Sequence, residues 1–142
     1  MFFGDFYPRM DDKGRLALPA KFRDKLSDGM VITKGQDRCL FVYPRSEFER
    51  IAARLNKAPS TNAVVRNYAR SMFGTADDQS ADKQGRIVIK PVLREFAGLT
   101  RECAVVGVND KVEIWDAESW RRFSEEQEQG FVDLSEDFIL PE

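Results

Sequence analysis

The sequence predicts a mainly β fold with short helices (β+α), built from two internal repeats about a pseudo-two-fold axis and joined by a helical connector. Two observations predict it. Residues 11–23, Asp-Asp-Lys-Gly-Arg-Leu-Ala-Leu-Pro-Ala-Lys-Phe-Arg, return at 82–94 as Asp-Lys-Gln-Gly-Arg-Ile-Val-Ile-Lys-Pro-Val-Leu-Arg, and self-similarity at a fixed period outranks any local motif. The match continues, because Asp11 to Asp82 is 71 positions while Gly35 to Gly107, Tyr43 to Trp115 and Phe48 to Trp120 are each 72. A single one-residue indel therefore separates the copies. A unit of about 45 residues lies near the lower limit for burying its own core, so the copies are expected to complete each other.

In chain order, Gly14 and Gly85 mark turns ahead of the short strands Arg15-Leu16-Ala17-Leu18 and Arg86-Ile87-Val88-Ile89. Pro19 and Pro91 stand where helices begin, since proline at the first helical position gives up only an amide that has no partner. Residues 21–26 and 92–97 follow as helices of one to two turns, with Phe22 and Leu26, or Leu93 and Ala97, as their buried edges. Residues 30–33 and 39–43 form a hairpin, and 103–106 with 112–115 form its counterpart. Ser46-Glu47-Phe48-Glu49 reads as a capping box, opening a helix in which Phe48, Ile51, Ala52 and Leu55 recur at helical spacing. Asp116 is placed to cap the matching helix. Residues 57–62 interrupt the connector, and 63–73 form a second connector helix with Val64, Tyr68 and Met72 on one face. The divisions read as 5–47 for the first repeat, 48–75 for the connector, 76–119 for the second repeat and 120–142 for an acidic helix or tail. One copy has too few strands to close a barrel. Two copies exchanging strands across the axis close one and remove the free edges.

The 142 residues are 42% hydrophobic and 32% charged with no long apolar run, the pattern of soluble globular proteins rather than membrane ones. Met-Phe-Phe-Gly-Asp lacks the basic start and apolar stretch of a signal peptide, so a cytoplasmic protein is expected. Histidine is absent, which removes the commonest general base and metal ligand. The carboxylate pairs Asp11/Asp12 and Asp77/Asp78 have no nucleophile or glycine-rich phosphate cradle beside them, so nothing assembles an active site. The expectation is no enzyme, no cofactor, no metal and no small-molecule substrate. Cys39 and Cys103 occupy neighbouring but non-equivalent repeat positions, as two ordinary strand residues do; a disulfide between them is the alternative, disfavoured in a reducing compartment. The formal charge of −2 is unevenly divided: residues 118–142 hold eight acidic and two basic side chains, leaving sixteen acidic and twenty basic in 1–117. A basic body with an acidic extension suits anion binding, and a plain solvated surface gives the same distribution.

Asp-x-x-x-Arg followed by an alternating strand and then proline resembles the swapped-hairpin AbrB-like DNA-binding fold. Two such units, with the opening Phe3-Gly4 and the phrases Asp-x-Lys-Gly-Arg and Leu-Pro-x-x-Phe-Arg, are similar to the MraZ family of bacterial regulators associated with the division and cell-wall gene cluster. The resemblance covers residue 1 to about residue 124. It implies that Arg15 and Arg86 are the principal DNA contacts, supported by Lys13 and Arg9, while Asp11, Gly14, Asp82 and Gly85 orient the motif. It also implies a ring-shaped homo-oligomer on short direct repeats of double-stranded promoter DNA, repressing its own gene cluster at the nucleoid, with no membrane partner. Gln84 replaces Lys13, and Ser80 or Ala81 replaces Arg9, so the first copy is expected to carry most of the recognition.

Physical chemistry supports a role for the motif independently, because an arginine fork takes a guanine edge or a phosphate in bidentate fashion. The plain alternative is a surface Asp–Arg pair worth about 0–1 kcal/mol. A second functional class is an antitoxin-like or scaffold module of the same fold that binds a protein. Arg23 and Arg94 are expected to pair with Asp24 and Glu95 on their own helices, and Tyr43/Trp115 and Phe48/Trp120 to anchor cores or interfaces. Phe131, Val132, Leu134, Phe138, Ile139 and Leu140 leave the tail open to being mobile or to docking on a neighbouring subunit.

Overall fold

The computed structural model describes residues 1–142. Its elements are β1 (Phe2–Phe6), β2 (Arg15–Ala17), α1 (Ala20–Lys25), β3 (Met30–Lys34), β4 (Leu40–Pro44), α2 (Arg45–Leu55) and α3 (Ala63–Gly74), then β5 (Asp77–Gln79), β6 (Arg86–Val88), α4 (Pro91–Ala97), β7 (Cys103–Asn109), β8 (Val112–Asp116), α5 (Ala117–Asp133) and α6 (Glu136–Ile139). Six strands form an antiparallel sheet in the order β1-β7-β8-β4-β3-β5, and β2 pairs with β6 as a separate two-stranded ribbon.

The repeats exchange their leading strands. β1, ahead of the first motif, lies on β7 of the second hairpin with Phe6 opposite Val105. β5, ahead of the second motif, lies on β3 of the first hairpin with Asp77 opposite Ile32. At the centre β4 pairs with β8 and Phe41 faces Glu113, while in the ribbon Leu16 faces Ile87. Both are pairs of equivalent residues, so the pseudo-two-fold axis runs through both sheets. The single indel read from the sequence resolves into two. Met30 and Cys103 are equivalent at an offset of 73 whereas Pro44 and Asp116 are equivalent at 72, so two residues are gained before β7 and one is lost in the hairpin turn.

The large sheet remains open instead of closing into a barrel, with β1 and β5 as its edges. The edge strand β5 has only three residues, and β2 and β6 pair with each other on the far side of the core instead of extending the sheet's edges. The main core lies between sheet, ribbon, α1 and α4. It is made of equivalent pairs: Leu16 with Ile87, Leu18 with Ile89, Phe22 with Leu93, Ile32 with Val105, and Val42 with Ile114, all essentially buried.

On the other face of the sheet Trp115 packs on Trp120 and Phe123 of α5, at ring separations of 5.4 and 4.9 Å. Tyr43, Phe48 of α2 and Phe73 of α3 form the counterpart at 6.1 and 4.9 Å. The aromatics are thus anchors, as their size suggests. Cys103 lies in the main core and Cys39 in the cluster on the opposite face; both are free, and the sheet between them blocks a disulfide. Burial pushes the Cys103 thiol up to about 11 and Cys39 further.

Two helix starts differ from the sequence reading. Ser46 does not cap α2: Pro44, at φ −55° and ψ 142°, turns the strand directly into helix at Arg45, whose N–H donates to Gly29 O at 3.2 Å. That first amide is satisfied by backbone, and Ser46, two places past the N-cap, lies inside the first turn where it cannot serve as the cap. Pro91 is the first helical residue of α4, whereas Pro19 lies one place earlier relative to α1, at its N-cap. Asp116 does cap α5, accepting from Ser119 N–H at 3.1 Å, and Asn62 caps α3. Of the expected connector face Met72 is buried, while Val64 and Tyr68 remain exposed. No helix is long and apolar enough to cross a membrane.

Candidate nucleic-acid interface

Strand alternation builds the site. In β2 and β6 the middle residues, Leu16 and Ile87, point into the core and are fully buried, so Arg15, Ala17, Arg86 and Val88 share the outer face. Arg15 lies opposite Val88 and Arg86 opposite Ala17. The arginines of the two repeats therefore stand diagonally on one surface, about 7–8 Å apart at their backbones.

Each arginine is held by its own turn. Asp11 Oδ1 accepts the N–H groups of Lys13 at 3.0 Å and Arg15 at 2.9 Å, and Oδ2 accepts Arg15 Nε at 2.6 Å. Asp82 does the same with Gln84 N–H at 2.9 Å, Arg86 N–H at 2.9 Å and Arg86 Nε at 3.0 Å. Gly14 and Gly85 complete the turns at φ +79° and +76°, where a side chain is strained. The backbone N–H of Arg15, then its guanidinium and the N–H of Lys13, hold the Asp11 carboxyl below the ordinary carboxylate range, and Asp82 is lowered by the matching set. Because the carboxylate takes Nε, both Nη groups of each partly exposed arginine are left without a hydrogen-bond partner in the chain. That edge can grip a guanine or a phosphate with two parallel hydrogen bonds.

The supporting residues are placed less simply. Lys13 is exposed in the first turn and makes no ion pair, but Arg9 is bound to Glu102 at 2.9 Å. Asp12 pairs with Arg101 at 3.3 Å. Position 12 is Lys83 in the second copy, an exposed cation without an ion-pair partner that sequence comparison of the turns overlooked. With Arg9 engaged and Lys83 added, the charge advantage of the first copy largely disappears.

Arg23 and Arg94 do not pair with Asp24 and Glu95. Arg23, from the first repeat, lies under the second turn against Gly85, its Nη1 donating to Gln84 O at 3.5 Å. Arg94, from the second, packs its guanidinium against Gly14, and its Nε is buried without a partner. Backbone contacts cross in the same sense: Leu18 N–H donates to Gly85 O at 3.0 Å and Ile89 N–H to Gly14 O at 2.8 Å. A further clamp exists only in the second copy, where the Gln79 side chain donates to Val88 O at 2.8 Å and accepts from Val88 N–H at 3.0 Å.

Comparison with known proteins agrees with this two-unit geometry. The family model described as "MraZ protein, putative antitoxin-like" matches twice, over residues 1–71 and 72–140. The chain is 55% identical to the transcriptional regulator MraZ of Frankia alni over 141 residues, 99% of this chain and 98% of that one. It is 53% identical to that of Parafrankia sp. and 51% to that of Thermobifida fusca, each over the same shares of both chains. With a tandem match across nearly its whole length and relatives above half identity, this chain belongs to the MraZ family.

Proposed function

We propose that the chain is a sequence-specific DNA-binding transcriptional regulator that presents the β2–β6 ribbon to the major groove of promoter DNA. One observation carries this reading: two equivalent arginines, each oriented through Nε by an aspartate, share the outer face of a two-stranded antiparallel ribbon. A groove about 12 Å wide admits such a ribbon, and its base edges accept bidentate arginine. Arg15 and Arg86 read bases, Lys13 meets phosphate, and Arg9 acts at the rim beside its Glu102 partner. Asp11, Gly14, Asp82 and Gly85 shape the turns. Residues 5–47 and 76–119 are the repeats, 48–75 the connector and 120–142 the acidic extension. The names of the relatives, transcriptional regulator MraZ, support the regulatory role.

So few cations per chain bind DNA weakly, because affinity depends on the number of phosphates neutralised. A ring of subunits on short direct repeats turns weak sites into strong avidity, acting at the nucleoid as a repressor of the chain's own division and cell-wall cluster. Exposed Phe131, Phe138 and Leu140, which nothing in the chain covers, favour contact between subunits. Selection of duplexes from a random pool by the purified protein tests the reading. An enriched motif that repeats at fixed spacing and is lost in Arg15→Ala supports it, and no enrichment by the unaltered protein would refute it.

A further inference from the structure

We infer that Val88 and Ala17 give each bound DNA element a direction, with Val88 reading a thymine methyl group beside the base gripped by Arg15. The inference rests on the proposal that the ribbon enters the major groove. The outer face consists of four side chains in two cross-strand pairs, Arg15 with Val88 and Arg86 with Ala17. Its arginines are equivalent under the pseudo-two-fold axis, and so are positions 17 and 88. With identical residues at those two positions, these four side chains would read base edges equally well in either direction. The residues are not identical, and the difference is chemically specific.

Val88 is an apolar side chain left 48% exposed, opposite Arg15 and two residues along its strand from Arg86. Its conformation is fixed. The Gln79 carboxamide closes both backbone groups of Val88, and a β-branched side chain has little rotamer freedom. Pro8 stands at the equivalent place before the first copy and has no side-chain amide with which to clamp Ala17. In the major groove the C5 methyl of thymine is the apolar feature that distinguishes one base from the others. Valine meets it with two methyl groups, whereas alanine, one bond shorter and lacking both, offers it less apolar surface. Burying the exposed half of those two methyl groups discriminates by about fourfold per element.

The test compares duplexes selected from one random pool by the unaltered protein, by Ala17→Val, by Val88→Thr and by Arg15→Ala. The unaltered protein should select thymine beside one of the two arginine-bound guanines. Ala17→Val should keep the guanines and add thymine beside the second, so that each element reads alike in both directions. Val88→Thr, which preserves shape and β propensity, should lower the preference about twofold with an unchanged circular dichroism spectrum. No thymine beside either guanine, or none added in Ala17→Val, together with one guanine lost in Arg15→Ala, would overturn the inference and leave the ribbon proposal standing. Both guanines retained in Arg15→Ala would overturn both.

Discussion

Replacing Arg15 by lysine separates a base-reading arginine from one that supplies only charge. In the structure Asp11 takes Arg15 Nε at 2.6 Å, leaving the two Nη groups as a planar pair with fixed direction. Lysine keeps the charge but offers one rotatable ammonium, which cannot satisfy Asp11 and a guanine edge together. A bidentate arginine–guanine contact discriminates by about 1–3 kcal/mol, roughly five- to 150-fold. Arg15→Lys should therefore weaken binding to the selected duplex about tenfold or more while changing binding to a scrambled duplex less than about twofold. The salt dependence should be unaltered, because its slope follows the number of phosphates neutralised, about −0.9 for each. Fluorescence anisotropy on the two duplexes at several salt concentrations measures all three quantities. Equal weakening on both duplexes, or a slope shallower by about one unit, would show that Arg15 binds phosphate and would refute the base-reading argument.

Arg86→Ala should cost affinity for the selected duplex within about threefold of Arg15→Ala, since the two sites share their geometry and Lys83 offsets the missing counterparts of Lys13 and Arg9; a loss confined to Arg15→Ala would restore the unequal copies expected from the sequence. Leu16→Ala and Ile87→Ala, at fully buried positions on the pseudo-two-fold axis, should each destabilise the fold by about 2–5 kcal/mol in urea unfolding, and a cost below about 1 kcal/mol would mean that the ribbon is not part of the core. The Asp11 and Asp82 carboxyls have folded values below their unfolded ones, so their stabilising contribution is present above about pH 4 and is lost as pH falls through the depressed values. Carboxyl NMR titration should place both midpoints below about 3.9, and a midpoint at or above that value would remove the carboxylates from the turn.

What could be read from the sequence depended on how locally each feature was determined. Both hairpins, the short helices after the motifs and the Asp116 cap rest on contacts within a few residues, and the sequence placed them within one to three positions. The aromatic anchors followed from size alone. Pairing of β2 with β6 was not legible, because three-residue strands with one inward side chain carry no signal of their partner. Arg23 illustrates the same limit. Charge spacing along a helix points to Asp24, whereas its acceptor is a carbonyl 61 positions away. The capping box at Ser46 failed because the helix begins one residue earlier, at Arg45, whose N–H is held by Gly29 just ahead of the first hairpin. Lys83 was legible and overlooked, since aligning the copies at 71 positions sets it directly against Asp12.

The crossed contacts explain why the motif occurs twice. If each Asp-x-x-x-Arg turn were a self-contained staple, its exposed ion pair would contribute about 0–1 kcal/mol, and one copy would serve as well as two. The turns are not self-contained. The backbone of each is fixed by the other repeat, through Leu18 on Gly85 and Ile89 on Gly14, and each glycine is backed by an arginine from the opposite helix. Moving one turn therefore shifts the helix that supports the other, and either repeat alone lacks the contacts that hold its own turn in place. The positions of the indels agree with this. The offset stays at 71 from the Asp11/Asp82 pair through the Leu26/Ala97 pair, the whole span in which the copies touch each other's turns, and changes only beyond the short helices, on the way into and within the hairpins.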